Sequence, residues 1–197
     1  MSYSKAQIFN LALNNLGISA TIQNTDNQSD TLNIILNNYY DIAKEHVLKN
    51  HDWGFASRYR SLAKSTTNSP IHPKFKYQYD YPNDCLFIRS VINSVGKNIE
   101  YEIASNSDGQ KIIFTNEQGV NIRYTANVDK ETFFSSEFVI ALTWYLAFLS
   151  SSAISGSNED KNNCLKVYES VVLNAKSLDA NESYCSEESN HNWLDER

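Results

Sequence analysis

The sequence predicts an α+β fold, a bundle of about four helices drawn from both chain ends with a small antiparallel β unit inserted between the second and third. Three observations predict it. Apolar residues recur at helical spacing before residue 50 and again after residue 135, residues 75–81 alternate apolar and polar, and turns bearing Asn, Asp and Gly separate the short apolar runs that follow. The chain has 197 residues, enough to bury about 70% of the surface its unfolded form exposes, so a core needs no disulfide support.

Ser2 or Ser4 can cap a first helix in which Ile8, Phe9, Ala12, Leu13 and Leu16 share one face, and Gly17 ends it. Residues 18–28 then take a loop composition of Thr, Asn, Gln and Asp. Ser29 or Asp30 caps a longer helix, with Leu32, Ile35, Leu36, Tyr39, Ala43 and Val47 on its inner face and its end near Asn50. Trp53 and Phe55 lie on either side of Gly54, which predicts a sharp exit that turns both rings against the helical layer. Pro70 and Pro73 among Ser, Thr and Asn make 65–73 a linker.

Phe75, Tyr77, Tyr79 and Tyr81 alternate with Lys76, Gln78 and Asp80, the pattern of a strand with one buried face. Phe87 to Ile92, Ile99 to Ile103, Ile112 to Thr115 and Val120 to Thr125 read as further strands. Ser135 or Ser136 caps a helix from Glu137 to about Ile154 that is apolar nearly all round and so must be covered on several sides. A fourth helix carries Leu165, Val167, Tyr168, Val171, Val172 and Ala175 on one face. The expected partition is 1–72 and 133–180 for the helical core, 73–132 for the β unit and 181–197 for a polar tail.

Composition narrows the chemistry. The net charge of −6 and a pI near 5.2 argue against a protein whose main task is gripping nucleic acid, because phosphate binding draws its affinity from clustered Lys and Arg. Cys85, Cys164 and Cys185 lack the spacing of a zinc or redox site and are expected as inert thiols. Met1 to Phe9 lacks the basic and apolar regions of a signal peptide, which predicts synthesis in a reducing compartment. The run Phe138 to Leu149, interrupted by Thr143, falls short of the ~20 residues that span a bilayer and is expected as a core helix, with no membrane partner. Glu45, His46 and His51 miss the HExxH spacing, and no GxSxG, GxGxxG or phosphate loop occurs. Arg58 and Arg60 flank Tyr59 and, with Lys64, form the nearest thing to a basic aromatic patch. The 12 tyrosines and three tryptophans suit protein interfaces, since such rings desolvate well and keep a polar tip.

The order of these signals resembles the tail tubular protein A family, the head-to-tail adaptors or gatekeepers of short-tailed phages. The residues that carry the resemblance begin with Ile8-Phe9-Asn10-Leu11-Ala12-Leu13-Asn14-Asn15-Leu16-Gly17, then Tyr39-Tyr40-Asp41-Ile42-Ala43 and Leu48. The strongest are His51-Asp52-Trp53-Gly54-Phe55-Ala56 with Arg58 and Leu62, and Tyr81-Pro82-Asn83-Asp84-Cys85-Leu86-Phe87-Ile88-Arg89. Phe114-Thr115-Asn116, Tyr124, Phe138, Ala141 to Ala147 and Tyr168 follow in order, so the resemblance spans Ser4 to Ala180. It implies a dodecameric ring at the head–tail junction of the virion, between portal protein and tail nozzle, around a channel through which DNA passes without sequence-specific binding. It implies no catalytic residue, metal or cofactor.

The structural anchors expected are Trp53, Phe55, Tyr81, Pro82 and Trp144, and the candidate interface residues are Arg58, Arg60, Tyr184, Trp193 and Leu194. Two other function classes compete. A wall-degrading hydrolase needs a buried carboxylate or a Cys/His pair in a cleft, and the sequence offers only scattered candidates. A DNA-binding regulator needs a short turn between its first two helices, and the connection from Gly17 to Asp30 is too long for one.

Overall fold

A computed structural model describes residues 3–65, 72–106 and 108–182. The helical layer contains α1 (Lys5–Asn15), α2 (Thr31–Asn50), α3 (Ser136–Ile154) and α4 (Asn158–Glu182). Between α2 and α3 run β1 (Ser57–Ser61), β2 (Tyr77–Asp80), β3 (Cys85–Ile92), β4 (Tyr101–Ser105), β5 (Lys111–Thr115) and β6 (Asn121–Ala126), so the α+β architecture is as the sequence predicts.

Ser4 caps α1, and the Gln7 side chain returns to the Ser4 N–H, a reciprocal capping box. At the other end Gly17 N–H donates to Asn14 and Ile18 N–H to Leu13, a Schellman closure that needs the left-handed φ of 72° at Gly17. Asp30 caps α2 by accepting from Leu32 N–H at 3.0 Å. Asn33 and Asn37 then donate to Thr25 O at 3.0 and 2.8 Å, lashing the 18–30 loop to the helix it precedes. The buried stripe of α2 is Asn33, Leu36, Tyr40, Ala43, Lys44, Val47 and Leu48. It is rotated by about one position from the expected face, with Tyr40 inside in place of Tyr39. Lys44 is tolerated there because its ammonium reaches Asp129 at 2.9 Å.

Helix α3 begins at the Ser135 cap and packs against α1, α2 and α4. By length and composition alone its 19 residues would suffice to cross a membrane, yet half of that stretch is buried within the protein. Its buried Ser150 hydroxyl donates to Leu146 O at 2.8 Å, so the core carries that polar group without penalty. Where α2, α3 and α4 meet, the His46 ring lies on Tyr145 at 4.2 Å and 5°, beside Tyr168, whose hydroxyl accepts from Asn50 at 2.7 Å.

His46 is exposed at one edge, but partial desolvation where its ring lies on Tyr145, with the Lys49 charge beside it, pulls the imidazole below its ordinary value of 6.5. Solvent screening keeps the effect on stability small. The unfolded chain therefore takes up that proton at higher pH than the folded one. His46 contributes its full stability above about pH 6.5 and loses it as pH falls through the lower folded-state value. Thermal melts of the parent and His46→Phe from neutral to acid pH should show the parent losing more stability on acidification. Parallel pH profiles for the two proteins would refute the assignment.

The six strands form two three-stranded antiparallel sheets, ordered β1-β6-β3 and β2-β5-β4. They meet at two corners. At one, Leu62 N–H donates to Val120 O, then Ser65 N–H donates to Gln78 O and Asp80 N–H to Ala63 O, so residues 57–65 pass from the first sheet to the second. At the other, the 93–98 hairpin carries the chain from β3 towards β4, and Ile99 N–H donates to Val91 O. Tyr79, Ile88, Val91, Ile113, Ile122 and Tyr124 fill the space between the sheets. The sequence reading has no strand before residue 75, so β1 is an addition.

Candidate interaction surface

Helix α2 ends without a glycine: His51, its C-cap, is extended at φ −137°. The last carbonyls of a helix have no partner within it, so another donor must reach them. Two side chains do. Trp53 Nε1 donates to Val47 O at 2.8 Å. Arg89, arriving from β3, donates through Nη2 to the carbonyls of Leu48, Lys49 and His51 at 3.2, 3.0 and 2.7 Å, and through Nε to Thr125 Oγ1 at 2.8 Å. A cation at the negative end of the helix dipole is also favoured electrostatically. This joint holds the helical layer to the first sheet.

Around the joint the sheet shows its outer face. Asp52 bonds Arg123 Nη2 at 2.5 Å and lies 3.9 Å from Arg89 Nε. The Arg123 guanidinium sits 5.9 Å from the centre of the Tyr59 ring and that of Arg89 4.7 Å from Phe87. Tyr59 is 73% exposed and Phe87 46%. Aromatic rings backed by arginines held in fixed orientation are the composition of a recognition surface, because they lose little freedom on binding and still offer charge.

Trp53 is 3% exposed and lies edge-on to Phe138 at 5.3 Å, while Phe55 is half-buried and packs on Phe134 and Phe138. Both serve the helical layer. Gly54 plays another part than expected: its backbone is outside the left-handed region, so the Trp53 hydrogen bond shapes the exit. Pro82 is buried and Tyr81 half-buried under Lys111, whose ammonium stands 5.2 Å from the ring. Burial first, then the bond to Cys85, pushes the Tyr81 phenol far up. Trp144 is half-buried against the helical core. Tyr184, Trp193 and Leu194 lie outside the described residues.

Arg58, Tyr59 and Arg60 do not form the single basic aromatic patch expected of them. Strand alternation puts Tyr59 opposite Arg123 on the outer face and both arginines on the other. Arg58 bonds Asp84 at 2.7 Å, a carboxylate that also accepts from Tyr124 at 3.2 Å. Arg60 lines an open groove of about 790 Å³ with Asp80, Asp84 and Lys111. Arg89, named above only as the end of the 81–89 motif, has a role the sequence does not show, because it looks like any polar strand residue until its carbonyl partners are in place.

Among the described residues no three His, Cys, Asp or Glu side chains are placed to hold a metal ion. Burial pushes the Cys85 and Cys164 thiols up, away from the reactive thiolate. The arrangement is suited to stacking, hydrogen bonding and ion pairing. No protein-family model matches the chain, and no curated protein matches it.

Proposed function

We propose that this chain is the subunit of a head-to-tail adaptor ring of a short-tailed phage, seated between portal and tail nozzle, and that it works by contact and not by catalysis. One observation carries the reading. The two motifs on which the family resemblance is strongest, 51–56 and 81–89, interlock, since Arg89 donates to His51 O across 38 positions of sequence. Matches that fall at separate places in a sequence but build one joint have a common structural purpose. That joint fixes the β unit to the helical layer, as a subunit loaded between two other rings requires. The exposed Tyr59 and Phe87 beside it supply contact surface.

The test is to mix the purified chain with the portal protein of the same phage and weigh the product by native mass measurement. A ring of subunits added to the portal is the expected result. No complex at micromolar concentrations would overturn the reading.

The assembled ring carries −6 per chain, so its channel wall is expected to be acidic or neutral, letting the duplex pass without the counterion-driven grip of a basic lining. An image of the ring with a continuous Lys/Arg lining would refute that expectation.

A further inference from the structure

Among the described residues, β1 and β4 each leave an edge without a backbone partner. In β1 the bond from Leu62 N–H to Val120 O sets the phase of the ladder: Arg58 and Arg60 exchange bonds with β6, and Tyr59 and Ser61 turn their N–H and C=O groups outward. In β4 the bond from Asn106 N–H to Gln110 O does the same, so Glu102 and Ala104 face β5 while Tyr101, Ile103 and Ser105 turn outward. Among the described residues neither outward row has a backbone partner. β1 is an outer strand of one sheet and β4 of the other, so these two rows are different edges of the same chain.

We propose that these edges pair between copies, β1 of one chain antiparallel to β4 of the next, joining subunits head to tail. The inference rests on the ring reading and names its lateral contact. Charge decides the partner. β1 carries Arg58 and Arg60, whereas β4 carries Glu102 with Glu100 just before it. β1 on β1 sets Arg58 opposite Arg60, which is unfavourable, and β4 on β4 gathers the glutamates of two chains on one ribbon. Only the mixed pairing alternates the sign.

One register also satisfies the side chains. With Tyr59 opposite Ile103, both outward rows meet in hydrogen-bonded pairs and Arg60 falls opposite Glu102. Tyr59 and Ile103, 73% and 42% exposed, then cover each other on one face. Arg58 and Glu102 are themselves half-exposed in the pairs they now make, Arg58 with Asp84 and Glu102 at 3.4 Å from His72 Nε2. Such surface pairs exchange at little cost. A contact made by two different patches is heterologous, the kind that closes into a ring when the rotation per subunit allows.

The test uses full-length chains carrying Cys185→Ser, mixed as Tyr59→Cys with Ile103→Cys and oxidised mildly. Hydrogen-bonded antiparallel neighbours stand about 5.5 Å apart at Cα, within disulfide reach. A cross-link between the two variants, absent when either is oxidised alone, is the expected result. Arg60→Glu and Glu102→Arg, each checked for an unchanged melt, should weaken assembly about tenfold singly and restore it when combined. If the chain assembles alone or on the portal yet gives no cross-link and tolerates Arg60→Glu, the edge pairing is wrong and the ring reading stands. If it assembles under neither condition, both fall.

Discussion

Trp53→Ala should remove about 3–5 kcal/mol of stability, lowering the melting midpoint by roughly 6–20 °C for a chain of this size. The side chain is 3% exposed and lies edge-on to Phe138 and to His51, so truncation leaves a cavity bounded by α2, α3 and the 3₁₀ turn at Gly54–Ala56. It also strips Val47 O of the indole donor. Trp53→Phe separates the two contributions. It keeps most of the packing and loses the bond, so it should cost about 1 kcal/mol from that bond, plus whatever the smaller ring leaves unfilled. A melt of Trp53→Ala superposable on that of the parent would show that the ring does not anchor the helical layer.

Much of the fold is legible from caps and periods because these are local. Ser4, Asp30 and Ser135 cap the helices where hydroxyl and carboxylate chemistry predicts, and Gly17 closes α1 in a conformation that other residues resist. The inner face of α2 is less legible. Ile34, Ile35 and Leu36 are consecutive, as are Tyr39 and Tyr40, so two adjacent stripes are apolar enough to be buried and contacts with α3 choose between them. β1 escapes detection because Ser57-Arg58-Tyr59-Arg60-Ser61 has a single apolar residue and is exposed at most positions, as an edge strand can be. Its alternation still governs the chemistry, sending Tyr59 away from the arginines beside it in sequence.

The joint below α2 was hidden for a different reason. Its acceptors are backbone carbonyls, which every residue has, so nothing in residues 48–51 marks them as the target of an arginine 38 positions away. The visible sign is indirect: a long amphipathic helix runs into His51-Asp52 with no glycine to close it. A helix end of that kind needs an outside donor. The outer face around Tyr59 and Phe87 is then a by-product of where the donor must stand, since Arg89 and Arg123 share Asp52 on that side of the sheet.

Arg89→Met should therefore destabilise the protein by about 3 kcal/mol or more, although it replaces a charged residue on a sheet by an apolar one of similar length. The Arg89 side chain is 17% exposed, and three of its four hydrogen bonds, to Thr125, Leu48 O and His51 O, are partly buried, while the one to Lys49 O is open to solvent; three of the four lie at the C-terminus of α2. Removing it strands those carbonyls and leaves Asp52 with Arg123 alone. Arg89→Lys should recover only part of the loss, because one ammonium cannot hold Thr125 and three carbonyls in the planar geometry of a guanidinium. Trp53 and Arg89 cap the same helix end, so their effects should not add: in a double-mutant cycle with Trp53→Phe, the second change should cost less than it does alone. Denaturant unfolding of the four proteins measures this, and native-state hydrogen exchange should show the last turn of α2 opening more readily in Arg89→Met than the α1 amides. Full stability in Arg89→Met, or strict additivity with Trp53→Phe, would mean that the helix end is satisfied by water and that the joint between the helical layer and the sheet lies elsewhere.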